Sequence, residues 1–413
     1  MWPRKQLDLG AIDLAYGFSQ IALAHARSSA AGVVGEVWMP ADEAIVALSV
    51  RTAWDLLLTA LDLPCGSEVV MTAITIPDMV RIIEHHGLAP VAADVDPERL
   101  APNVERLEHL ITPRTRVILV AHLFGSRVEI GPIIQLARRY NLLVVEDCAQ
   151  AYVGREYMGH PGSDCILFSF GPIKTMTALG GAVVRVRDEG LRLQMATLQR
   201  SYPVQSRVTY LKRLLKYATF WLLAQPIVYG WLVRGMQWCG VDYDRALGNA
   251  AHSFRSNELF TQIRRQPCVP LVRMLGWRIK RFGARGESKL RRRTTRGEDL
   301  SRSLPAGMVV GGRNPTHTYW VLPVRVANPE QVAAALRDAG FDATTRSSLI
   351  VVRSEARSLV ADWLSEIVFL PSDESMPDSE WRRMLAVLQQ SACVVEQPAG
   401  RELAALSSVS GAS

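Results

Sequence analysis

The run Phe168-Ser169-Phe170-Gly171-Pro172-Ile173-Lys174 decides how this chain is read. Lys174 is the only lysine between Lys5 and Lys212. An apolar run, Ile166 to Phe168, leads into the motif. A second, Ala182 to Val186, leads out of it after Gly180-Gly181. Upstream stands Val144-Val145-Glu146-Asp147-Cys148-Ala149-Gln150, an apolar strand that ends on acids. The pattern therefore sets an acid at one strand end, a serine at another and an isolated lysine five residues later.

The pattern around this motif alternates strand and helix from about residue 46 to 190. Glu68 to Met71, Pro90 to Val95, Arg116 to Leu123 and Leu142 to Val145 read as strands. Asp78 to His86, Asn103 to Ile111 and Glu129 to Tyr140 read as amphipathic helices. Apolar strands alternating with such helices predict a mostly parallel sheet covered on both faces. Ligands of these sheets sit beyond the carboxyl ends of the strands, where Asp147, Ser169 and His122 fall. An amine there can hold an aldehyde, an acid can pair with a ring nitrogen, and a hydroxyl can donate to a phosphate. Pyridoxal phosphate needs all three.

The 413 residues are 48% hydrophobic and 21% charged, enough for two or so domains with a large core. The net charge of +7 rests mainly on arginine, a bias that is weak evidence for an anionic partner. Six scattered cysteines without a CxxC pair argue against a metal site or disulfide framework and for a reducing, cytoplasmic setting. The N-terminus lacks a compact apolar run after its basic residues, so no signal peptide is expected. The domain boundaries read as a lead-in segment 1–45 with one or two short helices and a large α/β domain 46–200. A helical aromatic and basic region follows at 201–300, then a smaller α/β domain at 301–395 and a disordered tail at 396–413.

Residues 211–240 are rich in tryptophan, tyrosine and leucine, with Pro226 and Arg234 inside the run. Three readings stay open for it. It is a helical hairpin packed on the large domain or at a dimer interface, a monotopic element on the inner face of the membrane, or a span. The arginine-rich run 273–302 reads as a solvated helix face. No motif accompanies it that would make it a nucleic-acid site.

Taken in order, the motifs resemble the DegT group of PLP-dependent sugar aminotransferases. Ser49-Val50-Arg51-Thr52-Ala53 stands where that family has Ser-Gly-Thr-Ala, and Pro64-Cys65-Gly66-Ser67-Glu68-Val69-Val70 where it has Pro-Gly-Asp-Glu-Val. His122-Leu123-Phe124-Gly125, Glu146 to Ala151 and Phe168 to Lys174 follow in the family's order. The resemblance is strongest over residues 45–190 and returns over 300–392. It implies a fold-type I PLP-dependent transferase: a large, mostly parallel sheet domain with a smaller C-terminal α/β domain, working as a homodimer with shared active sites.

The resemblance also assigns roles. Lys174 holds the cofactor's aldehyde and moves the proton, and Asp147 pairs with the ring nitrogen. Gln150 lies near the ring hydroxyl and Ser169 donates to the phosphate. Thr52 and the amides of Arg51 and Ala53 form a helix N-terminus that suits the same anion. His122 and His317 are candidates for lining the substrate side, although each reads equally well as a buried, hydrogen-bonded histidine. Three departures stand out: Arg51 replaces a glycine, Ile76 replaces a ring-stacking aromatic, and the segment after the lysine loop does not match the family's partner-contributed stretch. The expected reaction moves an amino group from glutamate to a keto sugar, usually nucleotide-linked, in polysaccharide, glycolipid or secondary-metabolite synthesis. The alternatives are a PLP-dependent sugar dehydratase or lyase, and a catalytically degenerate scaffold or regulator. Dehydratase-like relatives carry histidine at the lysine position, so Lys174 favours aminotransfer.

Overall fold

The computed structural model describes residues 1–4, 7–23, 30–35, 38–40, 42–244, 258–352 and 363–392. The tail expected to be disordered from residue 396 lies outside them. The lead-in holds α1 (Ala11–Leu23) and α2 (Ala30–Gly35). The α/β alternation then runs β1 (Ala44–Ala47), α3 (Val50–Leu61), β2 (Glu68–Thr72), β3 (Ile74–Thr75), α4 (Pro77–His85), β4 (Ala89–Ala93), α5 (Val104–His109), β5 (Thr115–Ala121), α6 (Gly131–Arg139), β6 (Leu143–Asp147), β7 (Cys165–Ser169) and β8 (Ala182–Val186). Helices α7 (Glu189–Ser201), α8 (Arg207–Leu223), α9 (Pro226–Trp238), α10 (Leu259–Ile263) and α11 (Val269–Ser303) follow. The chain closes with β9 (Leu322–Arg325), α12 (Pro329–Asp338), β10 (Ile350–Val351), β11 (Ile367–Leu370) and α13 (Asp378–Ser391).

Seven strands form one sheet in the order β1-β8-β7-β6-β5-β2-β4. The strands from β7 to β4 are mutually parallel, whereas β8 runs antiparallel to both β7 and β1. Successive residues face opposite sides, as a pleated strand requires. Val69, Met71, Leu119, Val145 and Leu167 pack into the core beneath α3 and α4. Val70, Ile118 and Val144 pack against α6, and Ile166 and Phe168 against the layer that contains α1, α8 and α11. Burial on both faces explains the near-continuous apolar runs, as expected of a parallel sheet.

The smaller unit pairs β9 with β11 antiparallel under α12 and α13, with Val324, Leu336, Phe341 and Leu388 in its core. A two-residue ladder joins it to the large unit: Ile350 pairs with Thr75 and Val351 with Ile74. Helix α11 is the second link. It breaks from helical geometry at Gly283 (φ 22°, ψ −144°), a conformation that glycine tolerates best.

The expectation that residues 273–302 form a solvated face is corrected here. Arg278, Arg293 and Arg296 are buried. Arg278 pairs with Asp13 at 2.6 Å, Arg293 donates to Thr318 O at 2.7 Å, and Arg296 donates to Asp373 O at 2.7 Å. Guanidinium groups can satisfy several acceptors at once, so they serve as ties between α11 and both units. The spanning reading of residues 211–240 is also corrected. Pro226 starts a new helix at its N-terminal turn, and no helix among the described residues is long and apolar enough to cross a membrane.

Gly125 sets the seam between the units. It has φ +99°, and its carbonyl accepts both the N–H and the hydroxyl of Thr318, at 2.8 and 3.0 Å. A Cβ placed there would lie 2.5 Å from the Trp320 backbone nitrogen. Gly125→Ala is therefore expected to destabilise the fold by about 2 kcal/mol, through strain and forced displacement of residues 318–320. A lowered urea midpoint with an unchanged slope is the expected result.

Candidate active site

Parallel register brings the motif residues together. Asp147 ends β6 opposite Leu167 of β7, and Ser169 ends β7 two residues further along. Gly171 then turns the chain so closely that a Cβ there would stand 3.7 Å from Ser169 Oγ and 3.9 Å from Lys174 Cγ. Lys174 N–H donates to Gly171 O at 3.1 Å, which tightens the turn that carries the lysine.

Burial dominates the electrostatics of both reactive groups. It pulls the Lys174 amine down from 10.5 to about 8, against the opposing pull of Asp147. Burial also raises the Asp147 carboxyl, against a hydrogen bond from Ala149 N–H to Oδ1 (2.9 Å) and the fields of Lys174, His122 and Arg51. Desolvation disfavours charge on either group, so each is poised to accept a charged partner. Lys174 Nζ lies 4.5 Å from the centre of the Trp320 ring, within cation–π range. A cavity of about 260 Å³ opens beside it, walled by Lys174, Thr175, Arg293, Trp320, Asp373 and Glu374 among others. Asp147 and Ser169 are not part of that wall.

The predicted phosphate turn is rearranged. Helix α3 begins at Val50, capped by Ser49, whose Oγ accepts Thr52 N–H at 3.2 Å. Thr52 is fully buried and its hydroxyl donates to Ile263 O at 2.8 Å. The Ala53 N–H goes to Ser49 O at 3.0 Å. The cap thus falls earlier than expected, and the Thr52 hydroxyl and the Ala53 N–H are held within the chain. Arg51 lies in the first helical turn, with its Nε 2.5 Å from Asp78 Oδ2, and its charge acts on both Asp147 and Lys174. Ile76 precedes α4 and packs against the main core. The aromatic face at the lysine comes instead from Trp320.

Both histidines are buried and hydrogen-bonded within the chain. His122 is buried; its Nδ1 accepts Val128 N–H at 2.9 Å, so its Nε2 carries the proton and donates to Glu146 Oε2 at 3.0 Å. Glu146 also takes Tyr157 OH, His160 N–H and Ser163 OH. Burial opposes its charge, yet these hydrogen bonds hold its carboxyl below the usual range. His317 is buried too, stacked on Tyr319, with Nδ1 accepting Tyr319 N–H at 2.8 Å. Burial, with Arg293 adding to it, pushes its imidazole down to about 3. Gln150 Oε1 accepts Phe124 N–H at 2.7 Å and so holds that left-handed residue.

Four contributors were missed in the sequence: Asp8, Arg293, Trp320 and the segment 372–375. Asp8 Oδ2 accepts Met176 N–H at 2.6 Å and Oδ1 takes Lys289 at 2.8 Å, pinning the lysine loop from the lead-in. Nothing local to Asp8 signals this contact across 168 residues. Trp320 was within reach, because it stands three residues after His317 in the same run.

The donor set fits pyridoxal phosphate. The Lys174 amine loses its proton more easily than an ordinary lysine, and among the described residues the Asp147 carboxylate accepts only the Ala149 N–H as a hydrogen bond. The Ser169 hydroxyl has no hydrogen-bond partner among the described residues. The architecture is that of the fold-type I α/β transferases. Residues 37–212 match the DegT/DnrJ/EryC1/StrS aminotransferase family model.

GDP-perosamine synthase of Caulobacter vibrioides is 37% identical over 151 residues, which is 36% of this chain and 40% of that protein. The UDP-4-amino-4-deoxy-L-arabinose–oxoglutarate aminotransferase of Shewanella sediminis is 36% identical over 157 residues, 37% of this chain and 40% of that protein. The chain thus matches well under half the length of either relative. In three dimensions the likeness is longer. An aminotransferase from Streptoalloteichus hindustanus superimposes with a TM-score of 0.69 over 98% of this chain and all of its own, at 19% identity.

Lys174 carries a pH prediction. With its folded value near 8 and an unfolded value near 10.5, the folded chain binds fewer protons between those limits. The cost of burying the ammonium is present in full below about pH 8 and is relieved as pH rises through that window. In the cofactor-free protein, trinitrobenzenesulfonate labelling of the Lys174 peptide should reach half its maximal rate near pH 8. A midpoint near ~10.4 would mean a solvated amine.

Proposed function

We propose that the chain is a PLP-dependent aminotransferase that moves an amino group from glutamate to a keto sugar carried on a nucleotide. The observation that carries this is the nearness of Lys174, in the loop after β7, to half-buried Asp147 at the end of β6, close enough that each one's charge acts on the other. The relatives named for a GDP-linked and a UDP-linked sugar support the choice of acceptor.

Lys174 would hold the cofactor's aldehyde, Asp147 its ring nitrogen, and Ser169, with Arg51 nearby, its phosphate. When bound, the cofactor supplies an electron sink for the substrate carbon next to the nitrogen. Lys174 Nζ would then move the proton at that carbon. Asp147 would meet the ring nitrogen's positive charge as a carboxylate, which would offset the desolvation that otherwise raises it. Gln150 fixes the Phe124 turn and keeps its amide NH2 for the ligand side. Trp320 covers the lysine on the small-unit side. The reading extends to a cytoplasmic homodimer with shared active sites, in contact with the inner face of the membrane through residues 211–240.

Two experiments test it. Borohydride reduction with pyridoxal phosphate followed by peptide mapping should leave a pyridoxyl group on Lys174; a chain that takes none there is a scaffold. Glutamate added to the loaded protein should bleach its lysine-bound cofactor absorbance and release 2-oxoglutarate, whereas a dehydratase or lyase would not. Lys174→Ala and Asp147→Asn should each lower turnover by about 10²–10⁴-fold.

A further inference from the structure

Helices α8 and α9 bury one side and leave the other bare. Tyr210, Leu214 and Tyr217 of α8 enter the large core. Tyr229 and Val233 of α9 are buried with Tyr243, and the Tyr229 hydroxyl donates to Asp342 Oδ2 at 2.5 Å. Asp342 also takes Arg4 at 2.8 Å, so α9 is clamped to the smaller unit rather than hanging free.

The outward side of α9 is Ile227, Trp231, Arg234 and Trp238, spaced as one helical stripe. Ile227 is 77% exposed, Trp231 70% and Trp238 92%. On α8 the exposed residues Val208, Lys212, Leu215, Thr219 and Leu222 repeat the same spacing. Large apolar side chains in such a row, held at full exposure by a rigid anchor, mark an interaction surface.

Charge decides what it meets. Residues 190–241 contain no aspartate or glutamate and seven cations: Arg192, Arg200, Arg207, Lys212, Arg213, Lys216 and Arg234. On the exposed stripes the charged residues are Lys212 and Arg234, so a self-complementary contact between two copies would set cation against cation with no acid on either stripe to pair them. Tryptophans at the rim, aliphatic residues between them and cations alone among the charges match the headgroup layer of an anionic bilayer.

We infer that the exposed stripes of α8 and α9 form a monotopic docking surface for anionic lipid, centred on Ile227, Trp231 and Trp238. The helices lie on the bilayer; neither is long enough to cross it. This sharpens the membrane contact named above and is independent of the chemistry at Lys174.

Co-sedimentation of the full chain with vesicles is the test. Equimolar phosphatidylcholine and phosphatidylglycerol vesicles should pellet it, and phosphatidylcholine alone should not. Trp231→Ser with Trp238→Ser should abolish pelleting while leaving glutamate-driven 2-oxoglutarate release unchanged. Lys212→Ala with Arg234→Ala should weaken binding by about thirtyfold. Lys174→Ala should bind like the unaltered chain, which separates this result from the fate of the aminotransferase reading. No pelleting of the unaltered chain, or equal pelleting by the tryptophan variant, overturns the inference. So does light scattering that shows the tryptophan variant as monomer and the unaltered chain as dimer without lipid binding, because the stripe then belongs to a chain–chain interface.

Discussion

The rest of the fold serves to hold Lys174 and Asp147 in one half-buried corner. Burial pulls the amine down and the carboxyl up, in each case against the field of the other group. Such a pair persists only where the surroundings over-determine its position. Here they do. Parallel register fixes Asp147, a clamp between Gly171 and Met176 fixes Lys174, and Asp8 fixes Met176 from the far end of the chain.

The strand ends were legible because parallel, doubly buried strands write themselves as continuous apolar runs. Their last residues then stand out as the first polar ones, which is how Asp147 and Ser169 were found. The helix start near Arg51 was misplaced because Ser49 and Thr52 can both cap a helix, and only the tertiary acceptor at Ile263 shows which of them is spent elsewhere. The two histidines were ambiguous for a related reason. A histidine at a strand end looks the same whether its nitrogens face a ligand or, as with His122, a backbone amide and a buried glutamate. Arginines of α11 misled by composition: a basic run usually signals water, yet Arg278, Arg293 and Arg296 find carbonyls and carboxylates from four separate segments.

The site is therefore a composite. Strands of the large sheet contribute the acid and the serine, and the loop after β7 contributes the lysine. The lead-in contributes Asp8, α11 contributes Arg293, and the smaller unit contributes Trp320 and residues 372–375. The family match, confined to residues 37–212, covers the first group alone. The cavity wall draws on both, since Lys174 and Thr175 lie inside the matched residues and Arg293, Trp320, Asp373 and Glu374 outside them.

The small ladder between Ile350–Val351 and Ile74–Thr75 ties the smaller unit to the sheet one residue before Ile76 and three before Asp78, whose carboxylate holds Arg51. A second tie, Gly125 O with Thr318, stands two residues before Trp320. A substitution that loosens either tie therefore reaches the surroundings of Lys174 from one side only: the first through Arg51, the second through Trp320.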